Sequence, residues 1–250
     1  MPDITNMQQM QTPNNFRFSA TGIDQLGATE YTLATVVVDI SSSVDGFQRQ
    51  LEDCLKAIVN ACKKSPRSDN LMLRVVKFND SVTEVHGFKE LNTINVNDYS
   101  NTLNPSGSTA LFDAVQEAIE ATSEYGRLLK GQDYQANAVV YILTDGEDNR
   151  SRMTPTSIKN AVNSVKRQEQ LESLAVILVG VGQHNAGAYL DGFRQDANIT
   201  QFVDLEELFR KTSPEGALAK LAGFVSKSIS STSQALASGN SVPASSNLVF

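Results

Sequence analysis

Three apolar runs without polar alternation constrain the fold of this chain most strongly. They cover residues 33–38, 136–143 and 174–181, and they are rich in valine and isoleucine. Uninterrupted apolar runs of this length are typical of strands that are buried on both faces. Segments with helical spacing of apolar residues lie between them, which predicts an α/β fold whose mostly parallel sheet carries helices on both faces.

Shorter signals complete the predicted sheet. Residues 71–78 form a further strand, 82–88 alternate and should return as an antiparallel hairpin strand at an edge, and 200–203 form a short edge strand. The sequence therefore predicts a doubly wound sheet of six strands with one antiparallel edge strand. Apolar residues at helical spacing predict helices over 47–62, 108–119, 156–168, 187–196 and 215–230.

The two ends differ in composition from the middle of the chain. We predict a polar N-terminal arm over 1–30, one folded domain over 31–230, and a tail over 231–250 that carries no charge and is rich in serine and alanine. The arm contains a few apolar residues, so it could pack on this domain or on a neighbour. The tail could also dock on another surface through its last three residues.

Charge and hydropathy exclude several classes of protein. The net charge is −7 and no run of Lys and Arg exceeds two residues, which argues against binding to nucleic acid. We find neither a secretory signal nor an apolar run long enough to span a membrane, so we expect a cytoplasmic protein; a virus particle or an intracellular assembly fits equally well. Cys54 and Cys62 lie on one predicted helix, about 12 Å apart, and should remain free thiols.

Short oxygen-bearing side chains follow the buried strands in three loops. The first loop (39–43) carries Asp39, Ser41 and Ser43, the second (107–111) carries Thr109, and the third (144–149) carries Asp145. The carboxyl ends of parallel strands form the edge where ligands bind in open α/β sheets. An all-oxygen set suits a hard cation, Mg²⁺ before Mn²⁺ or Ca²⁺, and not zinc or copper. Alternatively, Ser43 and Thr109 could simply cap helices.

This pattern resembles the metal-ion-dependent adhesion site of von Willebrand factor A domains, and the likeness extends over about 31–230. The resemblance implies a cation held at the top of the sheet by Asp39, Ser41, Ser43, Thr109 and Asp145. It implies that the serines bind the metal directly and that Thr109 and Asp145 bind it directly or through water. It also implies a binding module that is not an enzyme, whose cation takes an Asp or Glu carboxylate from a protein partner.

Other chemistries fit the sequence less well. A dehalogenase-type phosphatase would need an aspartate where Ser41 stands, and Asn185 replaces the third glycine of a dinucleotide-binding motif. No nucleophile motif accompanies the two histidines, His86 and His184, which we expect at the surface. We expect Glu147, Asp148 and Asn149 to form a solvated acidic loop. Two functions remain: a metal-dependent interaction module, or a structural component that joins a larger assembly, such as a virion or a chaperone-linked complex, through its arms.

Overall fold

The computed structural model describes residues 7–181 and 186–238, and one eight-stranded sheet organises them. The strands are β1 (Met7–Gln11), β2 (Arg17–Thr21), β3 (Glu30–Asp39), β4 (Leu71–Phe78), β5 (Val82–Glu90), β6 (Gln135–Thr144), β7 (Ser173–Gly180) and β8 (Gln201–Asp204). Their order across the sheet is β1-β2-β5-β4-β3-β6-β7-β8. Strands β4, β3, β6, β7 and β8 run parallel, and β5 is antiparallel to β4.

Helices cover both faces of the sheet. They are α1 (Gln48–Lys63), α2 (Leu111–Lys130), α3 (Pro155–Gln168), α4 (Ala186–Asp196), α5 (Leu205–Lys211) and α6 (Pro214–Ser238). Alternate residues of β3 point to opposite cores: Val37 packs with α2, α3 and α4, whereas Val36 and Val38 pack with α1 and α6. The predicted doubly wound α/β class is therefore confirmed.

The strand count is the main correction to the prediction. The sheet has eight strands rather than six, because the segment predicted as a polar arm supplies the hairpin of β1 and β2. Strand β2 pairs with β5, so the predicted edge strand lies inside the sheet. The sequence MQQMQ of β1 has no apolar alternation that predicts a strand. Contacts distant in sequence hold the hairpin instead, including the buried Phe18 and the hydrogen bond from Ser19 to Glu84.

A buried ion pair links the sheet to α2. Arg74 of β4 is 1% exposed and its guanidinium contacts the Glu117 carboxylate at 2.5 Å and the Glu84 carboxylate at 2.8 Å. Glu117 is itself 2% exposed. Because a buried charge is costly without a partner, these contacts fix the position of α2 against the strands.

The C-terminal helix is longer than predicted. Helix α6 continues to Ser238, past the expected start of the tail at 231, and residues 239–250 lie outside the described part of the chain. The described helices include none that is both long and apolar enough to cross a membrane. Cys54 and Cys62 are buried free thiols, as predicted.

Candidate metal centre

The ends of β3 and β6 lie side by side at the carboxyl edge of the sheet. The register pairs Val38 with Leu143, so Asp39 and Thr144 follow at the same level. The Thr144 hydroxyl donates to Asp39 Oδ2 at 2.6 Å. The parallel sheet therefore delivers the first and third loops to one point, as the sequence predicts.

Asp39 is a fully buried carboxylate. Its side chain is 0% exposed, and Oδ1 accepts the Ser41 backbone N–H at 2.8 Å. The pKa of Asp39 is raised from 3.8 to about 6, chiefly by burial; the hydrogen bonds from Thr144 and Ser41 lower it, and the nearby charge of Asp145 raises it slightly. A buried anion beside a second carboxylate is stabilised by a nearby positive charge, so this environment suits a cation.

Ser41, Ser43 and Asp145 form a continuous chain of oxygens. The hydroxyls of Ser41 and Ser43 lie 2.9 Å apart, and the Ser43 hydroxyl donates to Asp145 Oδ1 at 2.9 Å. Ser41 and Asp145 are nearly buried, at 1% and 7% exposure, whereas Ser43 is exposed. The structure thus links three of the five predicted residues in one hydrogen-bonded chain, with Asp39 bonded to the same loop and the middle residue, Ser43, open to the outside.

Thr109 reaches this rim through backbone hydrogen bonds. Its N–H donates to Asn149 Oδ1 at 2.8 Å, and its carbonyl accepts the N–H groups of Asn149 at 3.0 Å and Arg150 at 3.2 Å. The residue is 4% exposed. The third loop therefore binds both backbone polar groups of Thr109, in the two peptide units that flank its Cα.

The first and second loops are also bonded to each other. The Ser42 N–H donates to the Gly107 carbonyl at 3.0 Å, and the Ser106 N–H donates to the Ile40 carbonyl at 2.8 Å. All three loops consequently form one hydrogen-bonded rim. This arrangement accounts for the proximity of residues that are far apart in sequence.

The alternative that the hydroxyls cap helices is wrong. The N-cap of α2 is Ala110 and that of α1 is Phe47, and neither helix has a side-chain capping bond from its own N-cap. The predicted capping role of Thr109 is therefore not observed. Ser43 bonds to Ser41 and Asp145 instead of to a helix.

The first turn of α2 is capped from another part of the chain. Asp148 Oδ1 accepts the Phe112 N–H at 3.2 Å, and the Ser151 hydroxyl oxygen accepts the Asp113 N–H at 3.0 Å. Asp148 and Asn149 thus make structural contacts that the expectation of a solvated acidic loop did not include. By exposure, Glu147 and Asn149 match that expectation, whereas Asp148 is half-buried. Sequence reasoning missed Thr144, Asp148 and Asn149, although all three lie in or beside the TDGEDN segment.

The structure describes one of the two histidines that the sequence offers as possible catalytic groups. His86 is half-buried rather than exposed as predicted; its Nε2 lies 2.7 Å from the Tyr99 hydroxyl, and burial lowers its pKa from 6.5 to about 3. His184 lies outside the described residues.

Within 7–181 and 186–238, no group of three or more His, Cys, Asp or Glu side chains is placed to hold a metal ion. A site for a cation in this part of the chain would therefore depend on hydroxyl oxygens.

The fold and this rim define a class of protein: a doubly wound α/β domain with three polar loops joined at the carboxyl edge of its sheet. The family model for the von Willebrand factor type A domain matches residues 35–215, and the chain belongs to that family. No curated protein gave a sequence match to the chain.

Solved structures share this fold at low sequence identity. The PilB minor pilin from Streptococcus sanguinis matches with a TM-score of 0.57 and 17% identity, over 86% of this chain and 65% of that one, in its D319A mutant form. The pilus adhesin SpaC from Lactobacillus rhamnosus GG, in an open conformation, matches at 0.52 and 11% identity, over 91% and 34%. The ArnB paralog VWA2 from Sulfolobus acidocaldarius matches at 0.50 and 12% identity, over 78% and 45%. The chain therefore spans less than two thirds of the length of these proteins.

Proposed function

We propose that this chain is a metal-dependent protein interaction module. Asp39, Ser41, Ser43, Thr109 and Asp145 would hold one divalent cation, Mg²⁺ before Mn²⁺ or Ca²⁺, and a protein partner would supply an Asp or Glu carboxylate. Membership of the von Willebrand factor A family supports both parts of the proposal, because domains of this family act in protein interaction or adhesion and often bind a divalent metal. The proposed activity is binding without catalysis, and neither nucleic acid nor membrane is the proposed partner.

One observation carries the proposal. The Ser43 hydroxyl lies 2.9 Å from the Ser41 hydroxyl and 2.9 Å from the Asp145 carboxylate, and neither serine side chain makes a helix-capping hydrogen bond. Hydroxyl and carboxylate oxygens are ligands that Mg²⁺ and Ca²⁺ prefer. These residues therefore fit the cation by the chemistry of their donor atoms.

Each residue has a distinct part in the proposed site. Ser41 and Ser43 would bind the cation directly, and Thr109 and Asp145 would do so directly or through water. Asp39 is oriented by Thr144 and by the Ser41 N–H, so it would balance the charge from a fixed position. When bound, the cation would attract a partner carboxylate electrostatically. Neutral hydroxyl ligands would leave most of the positive charge of the cation uncompensated.

Two neighbouring serines provide a matched test. Isothermal titration calorimetry with MgCl₂ should show binding to the wild type and at least about ten-fold weaker binding to Ser43→Ala. Ser42→Ala is the control, because Ser42 is exposed and lies between the two proposed ligands. An absence of Mg²⁺ binding to the wild type, or equal weakening by both substitutions, would contradict the proposal.

A second candidate function is an assembly component. The pilin and the pilus adhesin named above have the same fold, which is compatible with a structural role in a larger complex. In that case a partner would co-purify equally well with Mg²⁺ and with a chelator, and removal of residues 239–250 would release it. The interaction module predicts the opposite: the chelator releases the partner and trimming does not. The cytoplasmic location remains a prediction from the sequence.

A further inference from the structure

We infer that Asn149 is a positioning residue that holds Thr109 in place for cation binding. The inference deepens the proposed function and rests on it, because it concerns the same site. The segment 148–153 would act as a clamp that fixes the second loop and the start of α2.

The contacts of Asn149 enclose the Thr109 backbone. The Asn149 side-chain oxygen accepts the Thr109 N–H at 2.8 Å, and the Asn149 N–H donates to the Thr109 carbonyl at 3.0 Å. Thr109 is 4% exposed, so its polar backbone groups need partners within the protein. Asn149 therefore bonds to both the N–H and the carbonyl of Thr109 and restrains the two peptide units that flank this residue.

The same segment replaces the missing cap of α2. Because Ala110 offers no side-chain acceptor, the first-turn N–H groups of Phe112 and Asp113 bond to Asp148 and Ser151. The bonding is reciprocal: Asp113 Oδ1 accepts the N–H of Arg152 at 2.9 Å and that of Met153 at 2.8 Å. The clamp and the start of α2 thus form one bonded unit on the C-terminal side of Thr109.

Asn149 positions Thr109 but is not itself one of the proposed metal ligands. Asp145 begins the loop that contains Asn149, so the clamp ties Thr109 to the strand end that carries Asp145. The bonds of Asp39, Ser41 and Ser43 do not pass through Asn149. Loss of the Asn149 side chain should therefore weaken only the contribution that Thr109 makes.

A measurement without metal tests the clamp itself. Amide hydrogen exchange should be slow at Thr109 in the wild type and at least about ten-fold faster in Asn149→Ala, since the N–H loses its acceptor. Asn149→Asp keeps an acceptor oxygen and should restore protection. Glu147→Ala is the control from the same loop, with an exposed side chain, and should not alter exchange at Thr109. Unchanged protection in Asn149→Ala would overturn the inference.

A titration with MgCl₂ tests the link to the cation. Asn149→Ala should bind Mg²⁺ about ten-fold more weakly than the wild type, a loss of the size seen when a residue that orients a metal ligand is removed. In a Thr109→Ala background the same substitution should have no further effect, because Asn149 acts through Thr109. Additive losses, or unchanged affinity in Asn149→Ala, would overturn the positioning role. If the wild type binds no Mg²⁺, the proposed function fails, and the exchange result still reports on the clamp.

Discussion

The hydroxyl of Thr144 donates a 2.6 Å hydrogen bond to the fully buried carboxylate of Asp39 and so joins the ends of β3 and β6. Asp39 accepts this bond on one oxygen and the Ser41 N–H on the other. The carboxylate therefore bridges two strands and the first loop. The orientation of the Asp39 carboxylate depends on Thr144, which is not among the five predicted metal ligands.

Replacement of Thr144 by valine should weaken cation binding while keeping the shape of the side chain. We expect about ten-fold lower Mg²⁺ affinity, because the Asp39 carboxylate loses an orienting bond. The buried oxygen left without this donor should also cost about 1–3 kcal/mol in the free energy of unfolding. Calorimetry and urea denaturation measure the two effects. Thr144→Ser keeps the hydroxyl and should behave like the wild type; if it behaved like the valine variant, the hydrogen bond would not be the cause.

The buried ion pair of Arg74 and Glu117 should dominate the stability of the contact between α2 and the sheet. Glu117→Ala leaves a guanidinium that is 1% exposed with only Glu84 as its ionic partner, and should cost about 3–5 kcal/mol of unfolding free energy. The matched control is Glu124→Ala on the same helix, whose partner Arg127 is 52% exposed. That change should cost less than about 1 kcal/mol. Equal losses in urea denaturation would contradict this account.

His86 should make stability depend on pH. Its pKa is lowered from 6.5 to about 3 by burial, so below pH 6.5 the unfolded chain binds a proton that the folded chain does not. The free energy of unfolding is therefore at its full value above pH 6.5, the pKa of the unfolded chain. It falls as the pH is lowered, by at most about 2 kcal/mol from pH 7 to 5. Urea denaturation at the two pH values should show that His86→Gln, which cannot take up that proton, reduces the loss. An identical pH dependence in both proteins would contradict the assignment.

Gly87 should be required for the pairing of β2 with β5. A Cβ built at this position would lie 2.0 Å from the Ser19 carbonyl oxygen, a backbone atom that cannot move alone. Gly87→Ala should therefore displace the N-terminal hairpin and lower the melting temperature. The control is Gly223→Ala, since Gly223 lies within α6 and has open space around its Cβ position. That substitution should instead stabilise the protein, by up to about 1 kcal/mol.

The central part of the fold could be predicted from the sequence because its signals are local. Strands β3, β6 and β7 each contain a largely apolar run, and the carboxyl ends of β3 and β6 place Asp39 and Asp145 at one edge. The N-terminal hairpin could not be predicted in the same way. It depends on the buried Phe18, on the bond from Ser19 to Glu84 and on the absence of a side chain at Gly87, all of which require the partner strand to be in place.

Only part of the candidate site, like only part of the fold, could be predicted from the sequence. The residues with oxygen-bearing side chains could be identified from their spacing, and the structure brings Ser41, Ser43 and Asp145 into contact. The groups that orient them could not be identified. Asn149 and Asp148 look like loop residues in sequence, and only the close approach of the third loop to the start of α2 reveals their partners.

A crystal structure of the protein grown with MnCl₂ tests the central claim most directly, because manganese substitutes for magnesium at oxygen sites and gives an anomalous signal. We predict an anomalous difference peak bounded by the hydroxyls of Ser41 and Ser43 and the carboxylate of Asp145, and no such peak in crystals of Ser43→Ala grown in the same way. A peak elsewhere on the molecule, or none in the wild type, would contradict the assignment of this rim as a metal centre.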